Sequence, residues 1–291
     1  MGALEGRIAV ITGAGGGIGR EHALLFAKEG AKVVVNDLGV ANDGSGHDNG
    51  PAAQVVAEIV AAGGTAIANT DNIATWDGAK ALIDRTIAEF GGLDILVNNA
   101  GILRDAFITK MDESQWDAVI NVHLKGHFAP LHHASVWWNE QTKAGKTVNA
   151  AVINTASASG TFMPNAGQAN YGAAKAGIAA MSLVAADELS RIGVRVNCIA
   201  PIARTRLTLA TPGMGAIFAA PVEEGEADLF SPKQISPLVA WLATEDCKVT
   251  GKTFAISGGS VQELEGWKVT TTSETDGDWS IDLIAEAVGS W

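Results

Sequence analysis

The chain has 291 residues, 47% of them hydrophobic and 18% charged, which describes a folded globular protein and excludes a disordered one. A net charge of −12 disfavours nucleic acid or an anionic membrane as a general partner, since both require basic surface. Two cysteines at this size exclude a disulfide scaffold, so Cys198 and Cys247 read as buried free thiols in a reducing compartment.

The start, MGALEGRIAVITG, has neither a basic opening nor a long apolar stretch, and no apolar run approaches the ~20 residues of a membrane span. A cytoplasmic protein is expected. RIAVITG (7–13) reads as a buried strand, GIGREHALLFAKEG (17–30) as a helix closed by glycine, and AKVVVND (31–37) as a second strand. PAAQVVAEIVAAGG (51–64) opens with proline and ends in glycines, as helices do. TAIANTD (65–71) is a third strand, 76–92 a helix and LDILVNN (93–99) a fourth strand. A helix over 112–136, a strand over 150–157, a helix over 168–191 and a strand over 193–201 follow. The series closes with a helix over 232–244 and a seventh strand, TFAISGG (253–259).

Near-continuous apolar strands alternating with helices predict an α/β fold. It is a Rossmann-type doubly wound parallel sheet of about seven strands with helices on both faces, in one domain over 1–264. Ligands of such sheets bind at the carboxyl ends of the strands. Two stretches break the rhythm: the Gly/Asn/Asp loop 39–50, and 202–231, which reads as a mobile covering segment. The tail 265–291 carries Trp267, Trp279 and Trp291 but is too polar for a core, and the sequence assigns it no role.

VITGAGGGIG places Gly13, Gly15, Gly16, Gly17 and Gly19 between the first strand and the first helix. Glycine permits a tight turn and close approach to a phosphate, and a helix N-terminus offers free N–H groups and a positive dipole end to it. The context, strand before and helix after, is that of a dinucleotide fingerprint. The spacing is Gly13-x-x-x-Gly17-x-Gly19, with Ile18 where the G-x-G-x-x-G form has its third glycine. Asp37 ends the second strand, 24 residues after Gly13. A carboxylate there accepts hydrogen bonds from ribose hydroxyls and repels a 2′-phosphate, so NAD is expected over NADP.

The only tyrosine, Tyr171, stands four residues before Lys175, and such a pair shares one helix face. An ammonium beside a phenol favours the phenolate, which turns tyrosine into a proton donor and acceptor near neutral pH. Ser157 and Ser159 lie upstream at a predicted strand end, where a hydroxyl can hold a substrate carbonyl.

TGAGGGIG (12–19), NNAG (98–101), the upstream serine and YGAAK (171–175) together resemble the short-chain dehydrogenase/reductase family over residues 5 to about 260. VVVNDLG (33–39), NNAGILRD (98–105) and VHLKG (122–126) are similar to the (3R)-hydroxyacyl-CoA dehydrogenase part of type 2 multifunctional enzymes. They are similar also to bacterial 17β-hydroxysteroid dehydrogenase type 4-like proteins. The resemblance implies Tyr171 as acid/base, Lys175 as its tuner and ribose ligand, and Ser157, three residues before Gly160, as the substrate-positioning serine. It implies further cofactor contacts at Asn72, Ile73 and Asn99, and a segment after Pro201 over the nicotinamide. In that segment Ile202 replaces the usual glycine, and Arg204 and Arg206 are candidates to reach the cofactor or an acyl-CoA. His123 occupies the place of the family's proton-relay asparagine, and Asn121, two residues earlier, is expected to face elsewhere on a helix. No histidine spacing, His22, His47, His127, His132 and His133 included, suggests a metal site. The expected activity is NAD-dependent interconversion of a secondary alcohol and a ketone, preferably a (3R)-3-hydroxyacyl-CoA. A 17β-hydroxysteroid or another small secondary alcohol is the alternative substrate, and a cofactor-binding regulator is the non-enzyme alternative. The resemblance also implies a homo-oligomer, dimer or tetramer, built on the helices around 112–136 and 168–191.

Overall fold

The computed structural model describes residues 2–46, 50–211, 215–220, 222, 226–289 and 291. His47, part of the loop 39–50 and parts of the segment 202–231 lie outside the described residues.

The N-terminal half alternates β1 (Ile8–Thr12), α1 (Gly17–Lys28), β2 (Lys32–Asn36), α2 (Gly50–Ala61), β3 (Thr65–Asn69), α3 (Trp76–Phe90) and β4 (Ile95–Asn98). Then come α4 (Glu113–Ile120), a π-helical turn (Asn121–Lys125), α5 (Gly126–Lys143), β5 (Ala150–Thr155), the short α6 (Ala158–Thr161), α7 (Ala169–Ser190) and β6 (Val194–Pro201). The chain closes with α8 (Arg206–Ala210), α9 (Gly215–Phe218), α10 (Ser236–Leu242), β7 (Thr253–Ser257), β8 (Ser260–Leu264) and α11 (Ile281–Val288).

The strands form one sheet in the order β3-β2-β1-β4-β5-β6-β7-β8, parallel except for the antiparallel β7–β8 pair. The expected doubly wound sheet is present, with one strand more than expected. SVQEL is an edge strand with four of its five residues exposed, so it carries no buried apolar run to announce it. Alternate residues of one strand face opposite cores. Ala9 and Ile11 meet Phe26, Val55 and Val239 from α1, α2 and α10, while Val10 meets Leu82, Leu131 and Trp138 from α3 and α5. A parallel sheet covered on both faces requires this double burial.

The helix expected over 112–136 is longer and broken. It starts at a capping box in which Asp112 accepts from Gln115 N at 2.8 Å, and it ends at Lys143. The π turn sits just before Pro130's gap: proline has no N–H to give the Gly126 carbonyl, so the regular ladder is interrupted there. The tail helix α11 is capped by Ser280 and buries none of its residues.

Candidate active site

The reversal of strand order lies between β1 and β4, and a cleft of about 390 Å³ opens at the carboxyl ends of these strands. Its floor is the glycine loop. Gly13 and Gly17 take φ values of +64° and +54°, where a side chain is strained. A Cβ at Gly13 would stand 2.6 Å from Ala100 Cα. Gly13, Gly17 and Ile18 line the cleft, whereas Gly19 packs beneath it against the Gly13 carbonyl and the Asn99 amide. Gly19 is therefore a spacer and not a contact residue. Gly16 is the N-cap of α1 and supplies no side-chain cap, which leaves the first-turn N–H groups facing the cleft.

Asp37 lies half-buried beside this loop. Its Oδ2 accepts from Gly15 N at 2.8 Å and its Oδ1 from Gly39 N at 2.7 Å. It thus ties the glycine loop to the chain leaving β2. Asn72, the buried Ile73 and Asn99 complete this side of the cleft. Asn99 is fixed from below: Thr12 Oγ1 accepts from its backbone N–H at 2.9 Å, and its side chain donates to the Thr12 and Gly13 carbonyls at 3.0 and 3.2 Å.

The other wall carries Ser157, Tyr171, Lys175 and His123. Ser157 extends from the end of β5 as the N-cap of α6, where it accepts from Ser159 N at 3.2 Å. Tyr171 and Lys175 come from one face of α7. The buried Lys175 Nζ lies 5.5 Å from the phenol ring centroid and donates to Thr155 O at 2.6 Å. Burial lowers the Lys175 ammonium from 10.5 to about 7. Burial also raises the Tyr171 phenol above its ordinary value, against a lowering hydrogen bond from Ser157 and with a further push from Asp105. The depressed phenol expected from the Tyr–Lys spacing is therefore not produced by the chain's own groups; desolvation outweighs them.

His123 sits in the π turn. Its Nε2 lies 2.8 Å from Ile102 O and 3.1 Å from Ile102 N, and its Nδ1 has no partner. Burial first, then the Lys175 charge, hold it neutral, well below the usual imidazole range. Asn121, expected to face elsewhere than His123, also lines the cleft, as does Val122 between them, but Asn121 is exposed whereas His123 is buried.

Arg204 corrects an expectation. Its guanidinium turns from the cleft and binds Phe218 O, Asp228 Oδ2 and Ala220 O at 2.5, 3.1 and 3.3 Å, so it braces the covering segment. Arg206 lines the cleft instead, with Nη2 3.8 Å from where a Gly16 Cβ would stand. Sequence reasoning missed a third wall, residues 40–44 of the loop after β2, which also line this cleft. Among the described residues no group of three or more His, Cys, Asp or Glu side chains is placed to hold a metal. No described helix is long and apolar enough to cross a membrane.

The switch-point cleft, glycine floor and Ser/Tyr/Lys wall define a nucleotide-dependent oxidoreductase of the doubly wound class. A match to the short chain dehydrogenase family spans residues 7–210, and the chain belongs to that family. It is 43% identical over 265 residues to the hydroxyacyl-CoA dehydrogenase ChsB1 of Mycobacterium tuberculosis, covering 89% of this chain and 79% of that one. It is 42% identical over 260 residues to the peroxisomal hydratase-dehydrogenase-epimerase of Saccharomyces cerevisiae, covering 89% of this chain and 27% of that longer protein. The crystal structure of a short chain dehydrogenase from Mycobacterium avium superposes with a TM-score of 0.88 at 47% identity, over 99% of this chain and 95% of that one. The family's fold binds a nicotinamide nucleotide. The open α1 N-terminus, the glycine floor that a Cβ would fill and the carboxylate at the end of β2 fit such a ligand.

Proposed function

We propose that the chain is an NAD-dependent dehydrogenase that interconverts a secondary alcohol and a ketone, with a (3R)-3-hydroxyacyl-CoA as its substrate. The convergence of Ser157, Tyr171 and Lys175 on the cleft that also holds the glycine floor carries this reading. When bound, oxidised nicotinamide supplies the hydride acceptor and a positive ring charge. Tyr171 takes the proton of the substrate hydroxyl as hydride leaves the carbon, and returns it in the reverse direction. Ser157 donates to the substrate oxygen and stabilises charge that develops there. Lys175, anchored on Thr155 O, holds the nucleotide's ribose and, when charged, sustains the phenolate. His123, neutral and tied to the Ile102 backbone, supports the Tyr171 ring by position.

Asp37 at the end of β2 supports NAD over NADP, and the name of the mycobacterial relative supports the acyl-CoA substrate. Half-exposed Trp116 on α4, Phe128 and Val136 on α5, and Leu183 and Val184 on α7 support a homo-oligomer built on these helices. Cys198 and Cys247 are free and buried, which supports a reducing compartment such as the cytoplasm.

Absorbance at 340 nm tests the reading, with NAD+ or NADP+ offered alongside (3R)- and (3S)-3-hydroxyacyl-CoA and 17β-estradiol. NADH formation from the (3R) thioester alone is expected. Turnover of the steroid alone would remove the acyl-CoA substrate and keep the reaction. Tyr171→Phe is expected to lower turnover by about 10²- to 10⁴-fold while nucleotide still binds.

A further inference from the structure

The loop after β2 is bonded across the cleft rather than standing beside it. Within residues 40–46 the backbone closes on itself: Ala41 N donates to Ser45 O at 2.8 Å, Gly44 N to Ala41 O at 2.9 Å, and Ser45 N to Asp43 Oδ1 at 2.9 Å. This small unit is fastened to both walls. On one side Leu103 N donates to Asn42 O at 2.8 Å, and Arg104 Nε donates to Asp43 O. On the other, Asn42 Nδ2 donates to Arg206 O at 3.2 Å, reaching the covering segment. Val40 packs in the apolar cluster of Ile102, Val119 and Tyr171. At either end stand Gly39 and Gly46, with φ of +68° and +78°, positions where the backbone turns freely.

From this geometry we propose that residues 40–44 form a strap over the bound nicotinamide nucleotide, latched by Asn42 to Arg206 and by Arg104 to Asp43, and that opening of the strap controls nucleotide release. The proposal rests on the reading of the cleft as a nicotinamide nucleotide site. The strap lines the same cavity as Gly16, Asp37, Asn99 and Lys175, so a ligand lying along those residues is enclosed beneath it. A closed unit with glycine at both ends swings as one piece, and release steps of this kind often limit turnover. The latching side chains, Asn42 and Arg104, take no part in proton transfer, so loosening them acts on residence time and not on the chemistry.

The test is NADH dissociation from the whole protein, followed by the loss of protein-enhanced NADH fluorescence on mixing with excess NAD+. Asn42→Ala and Arg104→Met, singly and together, are compared with the unmodified chain, and thermal melting verifies that each variant folds. Each lost latch is expected to speed dissociation about two- to tenfold, the worth of one net hydrogen bond. With a substrate deuterated at the reacting carbon, the isotope effect on kcat is expected to rise in the double variant, because release no longer masks hydride transfer. Val40→Ala, which loosens the apolar contact and leaves both latches, is expected to change dissociation in the same direction. Unchanged dissociation in folded variants that bind NADH overturns the strap and leaves the nucleotide site standing. Failure of the unmodified chain to bind either NADH or NADPH overturns the nucleotide site and the strap with it.

Discussion

The His123 ring meets the Tyr171 ring edge-on, centroids 5.1 Å apart and planes at 87°. Behind it, a Cβ at Gly101 would stand 2.5 Å from His123 Cε1. The glycine of NNAG therefore leaves room for the histidine that buttresses the tyrosine. Gly101→Ala must displace the imidazole that packs against the phenol. Because a misplacement of about 1 Å costs on the order of 10²-fold in rate, turnover is expected to fall 10- to 100-fold with nucleotide affinity little changed. Steady-state kinetics beside a nucleotide titration measures both, and an undiminished kcat would sink the buttress role.

Lys175 makes stability depend on alkaline pH. Its pKa is about 7 when folded and 10.5 when unfolded. Between these values the unfolded chain holds a proton that the folded chain has released, so stability rises as pH climbs from 7 to 10.5. Below pH 7 the cost of burying the charge is fully present, on the order of 5 kcal/mol. Lys175→Met removes it. Urea unfolding should show the variant's advantage largest near pH 6 and shrinking toward pH 10; a constant difference would contradict the assignment.

His22 acts at the acid end. It is fully buried in α1, its Nδ1 is 2.8 Å from Ser236 Oγ of α10, and its Nε2 has no partner. Burial lowers its pKa from 6.5 to about 3. The unfolded chain binds a proton between pH 3 and 6.5 that the folded chain refuses, so stability drains away as pH falls through that window. The loss is on the order of 5 kcal/mol. His22→Gln is expected to flatten the decline between pH 6.5 and 4, read by denaturant unfolding at each pH. A decline as steep as in the unmodified chain would place the acid sensitivity elsewhere.

Asp37→Ala should have two effects at once. Removing the carboxylate removes the repulsion of a 2′-phosphate, so the ratio of kcat/KM for NAD over NADP is expected to fall about 10- to 100-fold. The Gly15 and Gly39 N–H groups also lose their acceptor, so the absolute affinity for NAD should drop as well. If the ratio holds steady while both affinities fall, Asp37 shapes the loop only.

The strands of the sheet interior were legible because IAVIT and KVVVN are apolar over most of their length, and only a buried strand tolerates that. β8 was not legible, since an exposed polar edge resembles a loop. Tyr171 and Lys175 were legible as one helix face through their spacing, and as a site only through the neighbouring motifs and the resemblance they carry. The π turn that carries His123 leaves no mark in periodicity. Two arginines two residues apart could not be told apart by sequence. Thr205 decides between them, because it caps α8 by accepting from Thr208 N at 3.2 Å. Arg206 then opens the helix over the cleft, and Arg204 falls outside it toward Asp228. The strap hid in a Gly/Asn/Asp stretch whose composition suggests only a turn.

The strand order has a consequence for how the chain is made. β1 is flanked by β2 and β4, and β4 is complete only at Asn98, 86 residues after Thr12. At a synthesis rate of about 5–20 residues per second, roughly 4 to 17 seconds separate the two. From the completion of β2 at Asn36 until β4 is complete, IAVIT has one hydrogen-bonding edge covered by β2 and the other bare. An apolar strand with an open edge is a template for pairing with the wrong chain. The yield of soluble protein in a cell should therefore follow chaperone supply during translation of the first hundred residues more closely than it follows the stability of the finished fold.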